Sequence, residues 1–163
     1  MSETLDAVDA KILDLIQHDA SLSVAEIADR VGLSSSPCWR RIKRLEDAGV
    51  IRRRVTILDA AMLGLDFEVY AEVKLALPNK ENLDAFDAAV AGWPEVVHCA
   101  TVTGGFDYVL RIVTKDIHCF DVFQRDKLLA LGLVSNVESR IVVRSVKSST
   151  AVPLGLISPH VAS

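Results

Sequence analysis

Cysteines are few and long apolar runs are lacking in this 163-residue sequence, and each scarcity removes a class of protein. The three cysteines, Cys38, Cys99 and Cys119, are odd in number and contain no Cys-x-x-Cys pair, which fits reduced thiols rather than a disulfide scaffold. No window approaches about 18 uninterrupted apolar residues, so no membrane span is expected. No early stretch has the length or flanks of a signal peptide, and a cytoplasmic location is expected. No nucleophile–base pair, phosphate loop or metal-ligand cluster of usable spacing is present, so the chain is not read as an enzyme. His98 with Cys99 and His118 with Cys119 come nearest to a metal set. Adjacent strand residues face opposite sides of a sheet, however, and no metal or cofactor is expected.

What is present is apolar residue content of 50%, enough to bury the core of one large or two small domains. The net charge of −4 argues against a polyanion partner until its distribution is read. Between residues 34 and 58, Arg40, Arg41, Lys43, Arg44, Arg52, Arg53 and Arg54 face only Glu46 and Asp47, while the flanking regions are acidic. A concentrated basic patch on an acidic chain points to a localised contact with nucleic acid.

Three helical patterns surround that patch. Leu5, Val8, Ile12, Leu15 and Ile16 recur at helical spacing, with Asp6, Asp9, Lys11 and Asp14 expected on the outer face. Ser23 and Glu26 form a capping-box pattern ahead of Ile27, Ala28 and Val31, and Gly32 ends the second helix. Ser34, Ser35 and Ser36 then offer caps, Pro37 suits a first turn, and Gly49 closes the third helix. Two helices joined by a short glycine-containing turn, the second of them basic, make a helix-turn-helix. At about 100° per residue, Cys38, Ile42 and Leu45 fall on one side and Ser36, Arg40, Lys43 and Asp47 opposite. Trp39 and Arg44 flank the exposed face, and Arg41 lies nearer the buried edge.

Residues 50–58 read as a strand-like connector and residues 60–64 as a loop or short helical turn. Phe67 onwards alternates with period two until Pro78, and residues 80–91 are helical with Leu83, Phe86 and Val90 inward. Two β-rich runs, 96–103 and 108–114, are split by Gly104 and Gly105, which reads as a hairpin. A helix from Asp116 to about Leu131 and a strand from 134 to about 146 complete a β-α-β-β-α-β order, the ferredoxin-like arrangement. The fold class expected is α+β, a winged-type helix-turn-helix followed by a ferredoxin-like domain. The divisions expected are 1–50 for the DNA-binding domain, 51–65 for a connecting strand and linker, 66–148 for the effector-binding and oligomerisation domain, and 149–163 for a tail. These two runs are expected to be the inner strands and are apolar on both faces, through Val109 and Val113 against Tyr108, Leu110 and Ile112, and Val96, Ala100 and Val102 against Val97 and Cys99. A helix-free, apolar sheet face must be covered, so a dimer is expected.

The run VGLSSSPCWRRIKRLEDAGVI, followed at the right separation by VTGGFDYVLRI, resembles the leucine-responsive and asparagine regulator (Lrp/AsnC) family of transcription factors. The resemblance extends from about Leu5 to Lys147, and the Pro-Cys-Trp run with the Val-Pro-Leu near the tail is similar to a cysteine-responsive branch. It implies a C-terminal domain that dimerises, assembles into octamers or similar rings, and binds an amino acid between subunits. It also implies DNA contact through Ser34, Ser36, Pro37, Arg40, Arg41, Lys43 and Arg44, and Ser35 and Trp39 of the same segment are read as DNA-binding with them. The effector region it implies is Thr103, Gly104, Gly105, Phe106, Asp107 and Tyr108, with Ile117, Ile141, Val142 and Val143. Gly105 stands where the family often has a polar or acidic residue.

Several positions keep two readings. Arg52, Arg53 and Arg54 serve phosphate contacts or linker solvation. Gly104 and Gly105 make a tight hairpin, or also let backbone amides approach a ligand. Asp107 meets an α-ammonium group or caps a turn. Trp39 is a packing or phosphate-edge residue rather than a wedge. The function expected is a sequence-specific, amino-acid-responsive regulator of transcription on double-stranded DNA; the alternative is an architectural protein that wraps DNA without an effector.

Overall fold

The computed structural model describes residues 5–157; residues 1–4 of the expected head and 158–163 of the expected tail lie outside it. The chain divides into two compact units, one reaching Ile57 and taking in the segment from Lys147, the other Leu58–Val146.

In the first unit, α1 (Ala7–His18), α2 (Val24–Val31) and α3 (Ser35–Asp47) follow one another through short turns. Each start has a local cause. Asp6 caps α1 in a reciprocal box with Asp9, and Ser23 caps α2 in the same way with Glu26, so each box satisfies amides that the helix itself leaves open. Ser34 stands at the N-cap of α3 without a side-chain bond. Gly32 and Gly49, at φ 71° and 74°, supply the left-handed turns after α2 and α3. Ile12, Leu13, Ile16, Ile27, Ala28, Cys38, Ile42 and Leu45 form the core. One expectation is overturned here. Asp9, assigned to the outer face of α1, is fully buried, because its carboxylate is the partner of two arginines from α3.

The segment after Lys147 joins this unit. The Gln17 carboxamide donates to the Val152 carbonyl at 3.2 Å and accepts from the Val152 amide at 3.0 Å, and Leu154 packs against the helical core.

The second unit is a four-stranded antiparallel sheet in the order β2-β3-β1-β4, with β1 Phe67–Leu75, β2 Val96–Thr101, β3 Tyr108–Thr114 and β4 Val134–Ile141. Helices α4 (Lys80–Ala91) and α5 (Ile117–Phe123) complete the βαββαβ order, the latter continuing into a π-helical turn, Gln124–Leu129. Alternate residues Val69, Ala71, Val73 and Leu75 of β1 and Tyr108, Leu110 and Ile112 of β3 pack under Phe86, Val90, Phe120, Phe123 and Leu128. Asn79 and Asp116 cap the two helices through the amides of Asn82 and Cys119.

Three sequence readings are corrected by this unit and its flanks. Residues 50–58 form no strand, since no segment among the described residues offers them a ladder. The last strand ends at Ile141 rather than near 146: beyond the Val142 amide on the Glu68 carbonyl, β1 has no further partner to give. The helix-free face is not wholly apolar. The central pair is β1 and β3, with β2 at an edge rather than inside as expected, and β1 brings Glu68 and Glu72 to that face, bound to Arg111 (2.8 Å) and to Arg140, beside Val109 and Val113.

Candidate nucleic-acid interface

α3 presents its outer side as the wheel requires. Cys38, Ile42 and Leu45 are buried, whereas Ser34, Ser35, Ser36, Arg40 and Lys43 are exposed and Pro37 is half-buried. Trp39 is 55% exposed, so its ring is not a core residue. Trp39, Arg40, Lys43, Arg44, Asp47 and Ala48 line one shallow open depression on this side. Lys43 pairs with Asp47 one turn on at 2.9 Å, an exposed contact that holds its ammonium above the ordinary lysine range. Such a pair is weak enough to exchange for a phosphate.

Arg41 and Arg44 are committed differently. Arg41 donates from Nη1 to Asp6 at 2.7 Å and to Asp9 at 2.8 Å, and these bonds raise its already high basicity further. Arg44 donates from Nη2 to the other Asp9 oxygen at 2.5 Å. Asp9 was missed as a partner of the basic helix. The only local signal was its place in a capping box, and its long-range partners lie 32 and 35 residues away. Past α3, Arg52, Arg53 and Arg54 are exposed, and Arg54 reaches Glu46 at 3.4 Å, so this run adjoins the C-terminal end of the same helix.

The expected effector residues fall into two groups. Thr103, Gly104 and Gly105 form an exposed turn in which Gly104 alone needs glycine, at φ 126°. Phe106 is half-buried. Asp107 is tied down: its amide bonds to the Val73 carbonyl at 2.9 Å and its carboxylate accepts the Leu75 amide at 2.8 Å. Tyr108 points to the helix-covered side and stacks on Phe86 at 4.5 Å; burial raises its phenol well above the ordinary tyrosine range. Ile117, Ile141 and Val143 are exposed, and Val142 continues the ladder. Ile141 pairs with Val69 and the turn with Val73 and Leu75, so the groups are separated along β1 by up to six residues, roughly 20 Å. One protomer does not bring them together.

Comparison with known proteins matches both units. Residues 5–52 fit a winged helix-turn-helix DNA-binding family, and residues 68–152 fit the Lrp/AsnC ligand binding domain. The chain is 38% identical over 154 residues to the glutamate uptake regulatory protein of Zymomonas mobilis, covering 94% of this chain and 93% of that one. It is 38% identical over 150 residues to the leucine-responsive regulatory protein of Rhizobium meliloti, covering 92% and 96%. Among solved structures it is similar to a transcriptional regulator from Neisseria meningitidis in complex with L-Met, with a TM-score of 0.90, 37% identity, and coverage of 93% and 98%. Both family matches, the relatives at 38% identity along nearly the whole chain and the shared fold agree, and the chain belongs to the Lrp/AsnC family of DNA-binding transcriptional regulators.

Proposed function

We propose that the chain is a cytoplasmic, non-enzymatic regulator that reads duplex DNA with the outer side of α3 and adjusts that reading when an amino acid binds between subunits of its C-terminal unit. The observation that carries the DNA half is the exposed row of Ser36, Arg40 and Lys43 opposite a buried stripe. Arg40 is assigned to base edges, where its fork can pair with guanine. Ser34, Ser35, Ser36 and Pro37 bring the amides of the helix N-terminus to a phosphate, with Trp39 at its edge. Lys43 and the arginines at 52 to 54 supply sequence-independent charge. Arg41 and Arg44 act mainly by holding α3 through Asp6 and Asp9.

The effector half is supported by the separation of its two groups within one chain. The 103–108 turn and the cluster of Ile117, Ile141, Val142 and Val143 can line one small-molecule site only if a second copy supplies one of them. A dimer that assembles further, to an octamer or similar ring, is the natural form. In such an assembly the ligand shifts the equilibrium between oligomeric states that space the DNA-binding units differently, and DNA must bias the same states in return. The Asp107 oxygen not bonded to the Leu75 amide is available to an α-ammonium group.

The test is a thermal-shift screen of the twenty amino acids, followed by DNA binding with each hit. A ligand that binds only the folded assembly raises its apparent stability, by about 2.7 kcal/mol at one hundred times its dissociation constant. Indifference of melting, assembly state and DNA affinity to every amino acid sinks the effector half. Protection of random and selected DNA alike would favour an architectural wrapping protein.

A further inference from the structure

We infer that Asp9 is the positioning residue that fixes the rotation of the DNA-reading helix, so that sequence discrimination depends on a carboxylate DNA never touches. The inference rests on the assignment of the outer side of α3 to DNA. Three facts carry it. The Asp9 side chain is only 1% exposed, although a charge at that depth is costly unless paired. Its two oxygens are divided between Arg41 Nη1 at 2.8 Å and Arg44 Nη2 at 2.5 Å, the second oxygen also accepting the Asp6 amide at 3.2 Å. Residues 41 and 44 lie one turn apart on the same flank of α3, while Arg40 and Lys43 are their immediate neighbours on the outer side.

The apolar contacts of α3 come from one stripe, Cys38, Ile42 and Leu45. Apolar burial is strong but non-directional, so the stripe decides which side of the helix faces inward while leaving a rotation of about 20° to be fixed by other contacts. Charge-assisted bonds are directional, and two of them converging on one carboxylate define an angle. With side-chain groups roughly 6 Å from the helix axis, a turn of about 20° moves them by about 2 Å. That exceeds the tolerance of a bidentate bond to a base edge but not of a screened attraction to phosphate. Loss of Asp9 should therefore separate specific from non-specific binding.

The experiment compares the full-length wild-type protein with Asp9→Asn and with the double variant Asp9→Asn/Arg41→Gln, on a site selected by the wild type and on random duplex DNA across a salt series. The double variant restores the charge balance, which guards against a fold failure caused by an uncompensated cation. For Asp9→Asn, discrimination between selected and random DNA should fall at least tenfold. Random-DNA affinity should hold or rise, with a salt dependence steeper by about one unit, because a negative charge beneath the basic side is gone. The double variant should recover the wild-type salt slope without recovering discrimination. Preserved discrimination in both variants overturns the inference, as does an equal loss on both DNAs at unchanged slope, which marks a merely structural role. If Arg40→Ala leaves both affinities at wild-type values, the outer-side reading itself is at fault, independently of Asp9.

Discussion

Replacing Asp107 by alanine should unlatch the end of β1 in the C-terminal unit, and the size of the effect follows from two bonds. The carboxylate accepts the Leu75 amide at 2.8 Å, and Leu75 is only 2% exposed. Removing a charged acceptor from a buried amide forfeits about 1.5–3 kcal/mol and leaves a donor that water reaches poorly. The backbone bond from Asp107 to Val73 survives any substitution except proline, so the turn itself is retained. We expect Asp107→Ala to cost about 2–3 kcal/mol. Asp107→Asn keeps a neutral acceptor and should cost about 1 kcal/mol. Trp93 reports this unit, since it meets Phe86 and Phe123 edge-on, and Trp39→Phe silences the other tryptophan. With urea slopes of about 1–3 kcal/mol/M, the alanine variant should unfold roughly 1 M earlier. A loss under about 0.5 kcal/mol, or equal losses for Asn and Ala, would refute the latch. If Asp107→Asn is folded yet loses the amino-acid thermal shift, the charge serves the effector in addition to the turn.

Other expectations follow from the same structure. Gly104→Ala should destabilise the hairpin by about 1–3 kcal/mol because φ is 126°, whereas Gly105→Ala, with nothing within 4 Å of its Cβ position and no positive φ, should be close to neutral in urea melts. The bond from the Asp9 amide, reinforced by Arg41, holds the Asp6 carboxyl below its ordinary value of 3.8. Its contribution is therefore complete above that value and is lost as pH falls below it; circular dichroism should show the helical unit unaffected from neutrality to about pH 5 and weakening below about 4. Leu154→Asp should detach the segment that Gln17 holds at Val152, seen as faster proteolysis near residue 150 with the helical core still folded.

The helical unit was readable because its signals are local. The Ser23–Glu26 box, Gly32 and Gly49 each act within a few residues, and the stripe of Cys38, Ile42 and Leu45 is a matter of spacing alone. Asp9 was not readable in this way. Its helix position suggested solvent, and only the folded contact with Arg41 and Arg44 makes its burial affordable. The βαββαβ order was legible from periodicity, but strand neighbours are set by long-range pairing. β1, read as a strand with one polar side, proves to be central and carries that polar side onto the helix-free face as Glu68–Arg111 and Glu72–Arg140. Residues 50–58 have strand composition without a partner strand among the described residues, and composition cannot supply one.

The most direct test of the account is the binding of Arg40→Ala and Arg53→Ala to the selected site, its single-base variants and random duplex DNA. Arg40→Ala should cost about 1–3 kcal/mol on the selected site and relax preference at one base pair, while Arg53→Ala should weaken all sequences alike and reduce the salt slope by about one unit. Normal binding by both variants, or uniform weakening by Arg40→Ala with every base preference intact, would contradict the assignment of the outer side of α3 to sequence reading.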